Sequence, residues 1–326
     1  MRDPALIRML PDGRRLHLHD GPIDLIIEAD GSAKAVSAAY EAAARRFVSI
    51  LDELCAELKL LRAYAKNDAK RPCGMIAQRM FAAVEPYCEE CFITPMAAVA
   101  GSVAEAILDS ITSTPTLDRA YVNNGGDIAL HLADSQSYKI GMVERPDRPS
   151  LFGAVEITSA DPVRGIATSG WRGRSFSLGI ADAVTVLADC SSAADAAATV
   201  IANAVDLPVH PGITRVPACE IAPDSDLGEL LVTRGVPPFS QTEIDEALEN
   251  GLRTASALRE RGLIHSAALC LQKSVRVLPA ASSLSPRAFG NSFLQRVDCA
   301  PDDFAGRSAT ETQSQLEYFG RTNPHA

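Results

Sequence analysis

The order of the segments constrains this chain more than any single motif. A hairpin comes first. Residues 15–19 alternate apolar and polar, Asp20-Gly21-Pro22 turns the chain, and residues 23–28 return as an apolar strand. Residues 33–66 switch to a helical period, with Phe47, Ile50, Leu51 and Leu54 at three-to-four spacing, in a stretch long enough to break once. Residues 75–84 and 94–111 predict two further helices. Strands follow in a cluster over 120–123, 127–132, 137–143, 154–159, 165–169 and 182–188. A helix over 192–205, a strand over 227–233, a helix over 241–263 and a closing pair of strands over 267–278 complete the pattern. Helices beside clustered strands, without strict βαβ alternation, favour an α+β fold over a doubly wound sheet. Residues 281–326 are rich in Ser, Pro, Arg, Asp and Gly and lack a sustained period. They are expected to form a weakly ordered tail beyond a domain spanning 1–280.

Charge narrows the function. Lys plus Arg is 31 and Asp plus Glu 41, a formal net charge of −10. Phosphate-backbone binding needs clustered positive charge, so nucleic acid is excluded as a partner. The most apolar helical stretch, 93–107, contains Pro95 and Glu105 and is too short for a bilayer. Met1-Arg2-Asp3-Pro4-Ala5 does not resemble a secretory leader, which makes cytoplasmic residence the expectation. Among eight cysteines, Cys88 and Cys91 form a lone C-x-x-C with no second pair or histidine pair at zinc spacing. Free or buried thiols are expected.

Four blocks could carry chemistry. Asn123-Asn124-Gly125-Gly126-Asp127 joins two strands through glycines that let a ligand approach the backbone, although turns of this composition usually only turn. Thr168-Ser169-Gly170-Trp171-Arg172-Gly173-Arg174-Ser175 gathers hydroxyls and two guanidinium forks in one loop, as phosphate binding or a solvated surface loop would. Within an alanine-rich helix, Asp195 and Thr199 stand four apart and project from one face. A carboxylate and a hydroxyl beside small side chains suit Mg²⁺, which completes its shell with water and phosphate. The alternative is an acidic residue favoured by the helix dipole, with Thr199 in the core. Finally, Thr94 is placed to cap a helix opened by Pro95 and continued through Ala97, Ala98, Val99, Ala100 and Gly101.

Taken in order, the Asn-Gly-Gly-Asp turn, the Thr-Ser-Gly loop and the Ala-Asp-(x)3-Thr helix resemble the motifs of the ApbE superfamily, which includes the FAD:protein FMN transferases. The likeness is nearer to a sister branch, through segments 95–101, 124–127, 165–170, 175–186, 194–202 and 262–272. It implies an ApbE-like fold with antiparallel-rich sheets flanked by helices, Mg²⁺ as cofactor and FAD or FMN as the nucleotide, with a small phosphorylated cofactor as partner. Position by position, Asp195 and Thr199 match the metal ligands. Asn124, Gly125, Gly126 and Asp127 match the nucleotide-side loop, and Thr168, Ser169 and Gly170 line the same cleft. Arg172 and Arg174 would neutralise phosphate charge, and Asp182 would be a further polar group in the site.

Two blocks of the transferase pattern are missing. Ala97 to Ala100 supply no lysine where transferases carry Gly-Gly-Ile-Ala-Lys-Gly, and no His-Ile-Ile-Asp-Pro follows the Thr-Ser-Gly loop. A lost histidine removes a natural proton carrier, which Asp182 or His131 would have to replace. The readings that follow are a Mg²⁺-dependent, transferase-like enzyme on a flavin nucleotide or similar phosphorylated cofactor, an enzyme of pterin- or furan-type one-carbon coenzyme synthesis, or a non-catalytic cofactor carrier. The helix over 33–66 would be core scaffold or a homodimer surface.

Overall fold

The computed structural model describes residues 4–66, 68–113, 116–143 and 151–280, so the expected tail over 281–326 lies outside the described residues. Strands β1 (Leu6–Met9), β2 (Leu16–Asp20) and β3 (Ile23–Gly31) open the chain. Helix α1 (Ala33–Ala56) follows, started by Ser32, whose hydroxyl accepts the Ala35 N–H. It breaks at Glu57 into the single turn α2 (Leu58–Leu61). The Glu57 carboxylate leaves the helix path to accept the N–H groups of Cys73 and Gly74, both at 2.7 Å, where α3 (Met75–Val84) begins.

A 3₁₀ turn over Pro95–Ala98 leads into α4 (Val99–Thr112). The strands β4 (Leu117–Asn124), β5 (Asp127–Leu132), β6 (Ser137–Val143), β7 (Leu151–Thr158), β8 (Gly165–Ser169) and β9 (Ala183–Ala188) come next. The chain ends its described part with α5 (Ser191–Ala204), β10 (Thr214–Pro217), α6 (Ala218–Ile221), β11 (Leu231–Gly235), α7 (Gln241–Glu260), β12 (Ser266–Leu271) and β13 (Ser274–Leu278).

Nine of these strands form one sheet in the order β1-β2-β3-β4-β5-β8-β9-β12-β13, and each pairing is antiparallel. Side-chain alternation decides what covers it. Leu25, Ile27, Val122 and Ala129 face a core shared with α1, α3 and α4, while Ala167, Val184, Val186 and Leu269 face α5 and α7. All the long helices therefore lie on one face. On the other face the β6–β7 ribbon packs Met142, Val155 and Ile157 onto Leu130, Ile166 and Leu187.

Some sequence expectations shift. The strand expected over 227–233 is β11 at Leu231–Gly235, because hydrogen-bonded turns with Gly228 at φ +52° occupy 225–230. β1 and β10 were not signalled, being only four residues each. Thr94 does not cap the helix after it. Its hydroxyl donates to the Asp226 carboxylate instead.

Candidate functional site

Four turns share one end of the sheet: those between β2 and β3, β4 and β5, β8 and β9, and β12 and β13. At this end the small residues of the sequence do two jobs. Gly125 and Gly126, at φ +67° and +117°, close the two-residue β4–β5 hairpin in backbone conformations that side-chain-bearing residues resist. Asn123 Oδ1 accepts the Gly126 N–H at 2.9 Å and fixes that turn. Gly101, by contrast, lets helices touch. A Cβ there would stand 2.4 Å from the Ser191 carbonyl oxygen, so α4 crosses the start of α5 at backbone contact.

The crossing assembles a polar cluster beneath it. Asn124, 7% exposed, points to the helical face and donates from Nδ2 to the Ala100 carbonyl at 3.1 Å. Asp127 opens β5 on the same face, and its Oδ1 accepts the Thr168 N–H at 3.3 Å. Asp195 reaches from α5 to the start of α4, where Oδ2 accepts the Gly101 N–H at 3.0 Å. Thr199 lies one turn along the helical face that carries Asp195. Both are half-buried between fully buried alanines.

Asp127 and Asp195 repel each other. Each keeps some exposed surface, yet protein surrounds both carboxylates. Burial pushes the Asp127 carboxyl up to about 7, against the opposing pull of the Thr168 N–H. Asp195 is driven well above the ordinary carboxylate range, by burial first and by the charge of Asp127 second. The N–H groups of Gly101 and Ala100 oppose that rise. Among the described residues no Lys or Arg pairs with either group. Two mutually repelling carboxylates therefore share this space without a cationic partner among the described residues, which fits a hard cation. Since no three His, Cys, Asp or Glu side chains gather at metal spacing among the described residues, such a cation would rest on two carboxylates, a hydroxyl and water.

The β8–β9 loop is built on the opposite plan. Asp182 is 5% exposed and fully engaged. Its Oδ1 accepts Arg172 Nε at 2.7 Å and Trp171 Nε1 at 3.2 Å, and its Oδ2 accepts the Gln272 N–H at 2.6 Å. Arg172 also stacks 4.2 Å above the Trp171 ring. Asp182 thus pins the loop to the β12–β13 turn, with its oxygens committed. Arg174 donates to the Pro22 carbonyl at 3.1 Å and passes beside Gly125, bridging the loop to two neighbouring turns.

Against this geometry, the sequence model of the bacterial AbpE family (AbpE_bact) matches residues 7–277. The chain belongs to this family.

Similar proteins include the UPF0280 proteins of Methanopyrus kandleri, 41% identical over 39% of this chain and 48% of its own length, and of Methanobrevibacter smithii, 37% identical over 42% and 55%. The matched part spans about half the length of these curated relatives. Among solved structures, the ApbE protein of Thermotoga maritima gives a TM-score of 0.40 at 11% identity, covering 85% of this chain and 96% of that one. The flavin transferase ApbE of Vibrio cholerae gives 0.38 at 13%, covering 87% and 100%.

In this AbpE-family chain the residues singled out by sequence divide into two groups. Asn124, Asp127 and Asp195 converge under the helix crossing, and Thr199 shares the Asp195 face of α5. Asp182, Arg172 and Arg174 belong to the loop above the sheet end, with Gly170 packed against the Asp182 backbone. Ser169 lies on the helical face of β8. Thr168 contributes its N–H to the cluster, but its hydroxyl sits on the far face, 2.9 Å from that of Thr185. His131 does not join them. It lies four residues along β5 from Asp127, roughly 13 Å at ordinary strand rise, and contacts the Leu117 carbonyl at 3.4 Å. Sequence reasoning missed the part played by the Ala100 and Gly101 amides and by Glu105. The available signal was that Glu105 is the only charged residue between 95 and 108.

Proposed function

We propose that this chain binds Mg²⁺ on Asp195, Thr199 and Asp127 and, with it, the phosphates of a flavin nucleotide or a similar phosphorylated, ring-bearing cofactor, as a transferase-like enzyme. One observation carries the reading: two enclosed carboxylates face each other with no cationic side chain between them among the described residues. When bound, the cation would supply Lewis-acid stabilisation of phosphate oxygens. The chain's own residues do the rest. Gly125 and Gly126 let a nucleotide lie close to backbone. Arg172, whose Nε is held by Asp182, would offer its remaining N–H groups to phosphate charge, and Arg174 would add a second guanidinium across the turn. The flavin ring is favoured by the Asn-Gly-Gly-Asp, Thr-Ser-Gly and Ala-Asp-(x)3-Thr resemblance. Residues 1–280 form the cofactor-binding domain in this reading.

A cofactor carrier is the second reading. It is favoured by the commitment of Asp182 to three donors and by the distance of His131, which leave neither as an open proton carrier. Native mass spectrometry with Mg²⁺ and, in turn, FAD, FMN and a reduced pterin tests both. Mg²⁺-dependent binding of one flavin, lost in Asp195→Asn, is expected. Turnover of that ligand then separates enzyme from carrier. Binding of the pterin alone would move the chain to one-carbon coenzyme chemistry, and binding unaffected by the substitution would remove the cation site.

A further inference from the structure

The two helices that cross above the cluster hold each other's starts. Asp195 of α5 accepts the Gly101 N–H near the start of α4, and Glu105 of α4 accepts the Ser192 N–H at the start of α5, at 2.5 Å. Cys190, the residue before α5, supplies no capping side-chain bond, its thiol lying 3.5 Å from the Ser192 hydroxyl, so Glu105 takes the part an N-cap side chain would ordinarily play. Glu105 is itself held. Its Oε2 lies 3.1 Å from Arg79 Nε, and the same guanidinium reaches Asp109 at 2.7 Å. The side chain of Glu105 is 13% exposed, which makes its placement tight.

We infer that Glu105 is the positioning residue of the cation site. Asp195 stands one turn beyond the amide that Glu105 anchors, on a helix whose buried side chains from 194 to 202 are alanines apart from Ile201. Alanines interdigitate little, so the register of α5 against α4 depends on the contacts made at the crossing itself. The Glu105–Ser192 bond fixes that register, and with it where Asp195 and Thr199 meet Asp127. Arg79 orients Glu105 and carries the arrangement back to α3. This inference rests on the proposed cation site and adds the residue that sets its geometry without touching the ion. Outer partners of metal ligands are typically worth about 10–100-fold in affinity.

The test is Mn²⁺ binding to the full chain, followed by electron paramagnetic resonance of free Mn²⁺, with melting temperatures alongside. Glu105 borders a cleft of about 400 Å³ lined also by Arg79, Cys190 and Ser192, so shortening it enlarges an open space. Glu105→Ala is expected to weaken Mn²⁺ binding about tenfold. Glu105→Gln keeps an acceptor for the Ser192 N–H and should stay within about threefold of the parent, and Glu105→Asp, one methylene shorter, should fall between. As a control, Leu258→Ala on α7 lowers the melting temperature without altering affinity. Equal affinity in all three Glu105 variants, beside normal binding by the parent, overturns the inference alone. So does a Leu258→Ala protein that loses affinity in step with its stability. No Mn²⁺ binding by the parent overturns the cation site as well. Should Glu105→Ala fail to fold, the ranking of Gln above Asp decides the question.

Discussion

The α4–α5 crossing and the β8–β9 loop each centre on a buried carboxylate and treat it in opposite ways. In the loop, Asp182 receives a guanidinium, an indole N–H and a backbone N–H, so its charge is answered in full. Under the crossing, Asp195 receives only backbone N–H groups and faces a second carboxylate. Both aspartates stand out in the sequence as site residues, and both are enclosed by protein. The difference teaches what burial alone does not. A charge satisfied from every side is part of the scaffold, whereas a charge left in surplus is a place for something the chain does not itself supply.

The largest expected effect breaks the crossing. Asp195→Asn keeps an acceptor for the Gly101 N–H but removes one of two anionic ligands, and Mn²⁺ affinity should drop roughly a hundredfold while the fold survives. Calorimetric titration measures it, and undiminished affinity would mean the surplus charge has another purpose. Asp182→Ala should do the reverse. It leaves three donors without an acceptor and should cost about 2–3 kcal/mol in urea unfolding, with cation affinity unchanged. Loss of affinity in this variant would merge the two regions into one.

Titration sharpens the contrast further. Asp127, at about 7, and Asp195, also raised, bind protons more tightly in the folded chain than in the unfolded one. Their contribution to stability without added cation is therefore greatest at acid pH, and that of Asp127 falls as pH rises from about 4 toward 7, by as much as ~1.4 kcal/mol per pH unit. Bound Mg²⁺ opposes this, so its effect on melting temperature should be greater at pH 8 than at pH 5.5. Asp127→Asn should flatten both trends. The smallest effect is expected of Arg174→Ala. Its contact with Pro22 is exposed, and stability should change by less than ~0.5 kcal/mol, while nucleotide binding weakens and cation binding does not.

What the sequence disclosed follows from the range of each interaction. The Asp195–Thr199 face was legible because it is set by helical spacing alone. The β4–β5 hairpin was legible because Gly125-Gly126 dictates it locally. Asp127, however, entered as part of the nucleotide-side loop with those glycines. That it opposes Asp195 depends on a helix crossing between residues far apart in the chain. Glu105 was overlooked for the same reason, since capping another helix has no local pattern. Asp182 was read as a polar group of the site and a possible proton carrier, but one of its three donors lies at Gln272, beyond the reach of any local motif. Thr94 looked like a cap and is drawn instead to Asp226, again across a long separation.

The strand order carries a consequence for how the molecule comes together. β1 to β3, and β4 to β5, pair through short turns with little loop closure to oppose them, whereas β3 against β4 closes over the helices α1 to α4. The join to the second half is β5 against β8, where the ladder consists of two residue pairs, Ile128 with Ile166 and Ala129 with Gly165. Asn124 and Asp127 stand on one side of that join, and Asp195 and Thr199 on the other. No fragment of the chain owns the cluster. A refolding reaction followed through bound Mn²⁺ should therefore lag behind one followed through helical signal, because the ion reads the meeting of the halves.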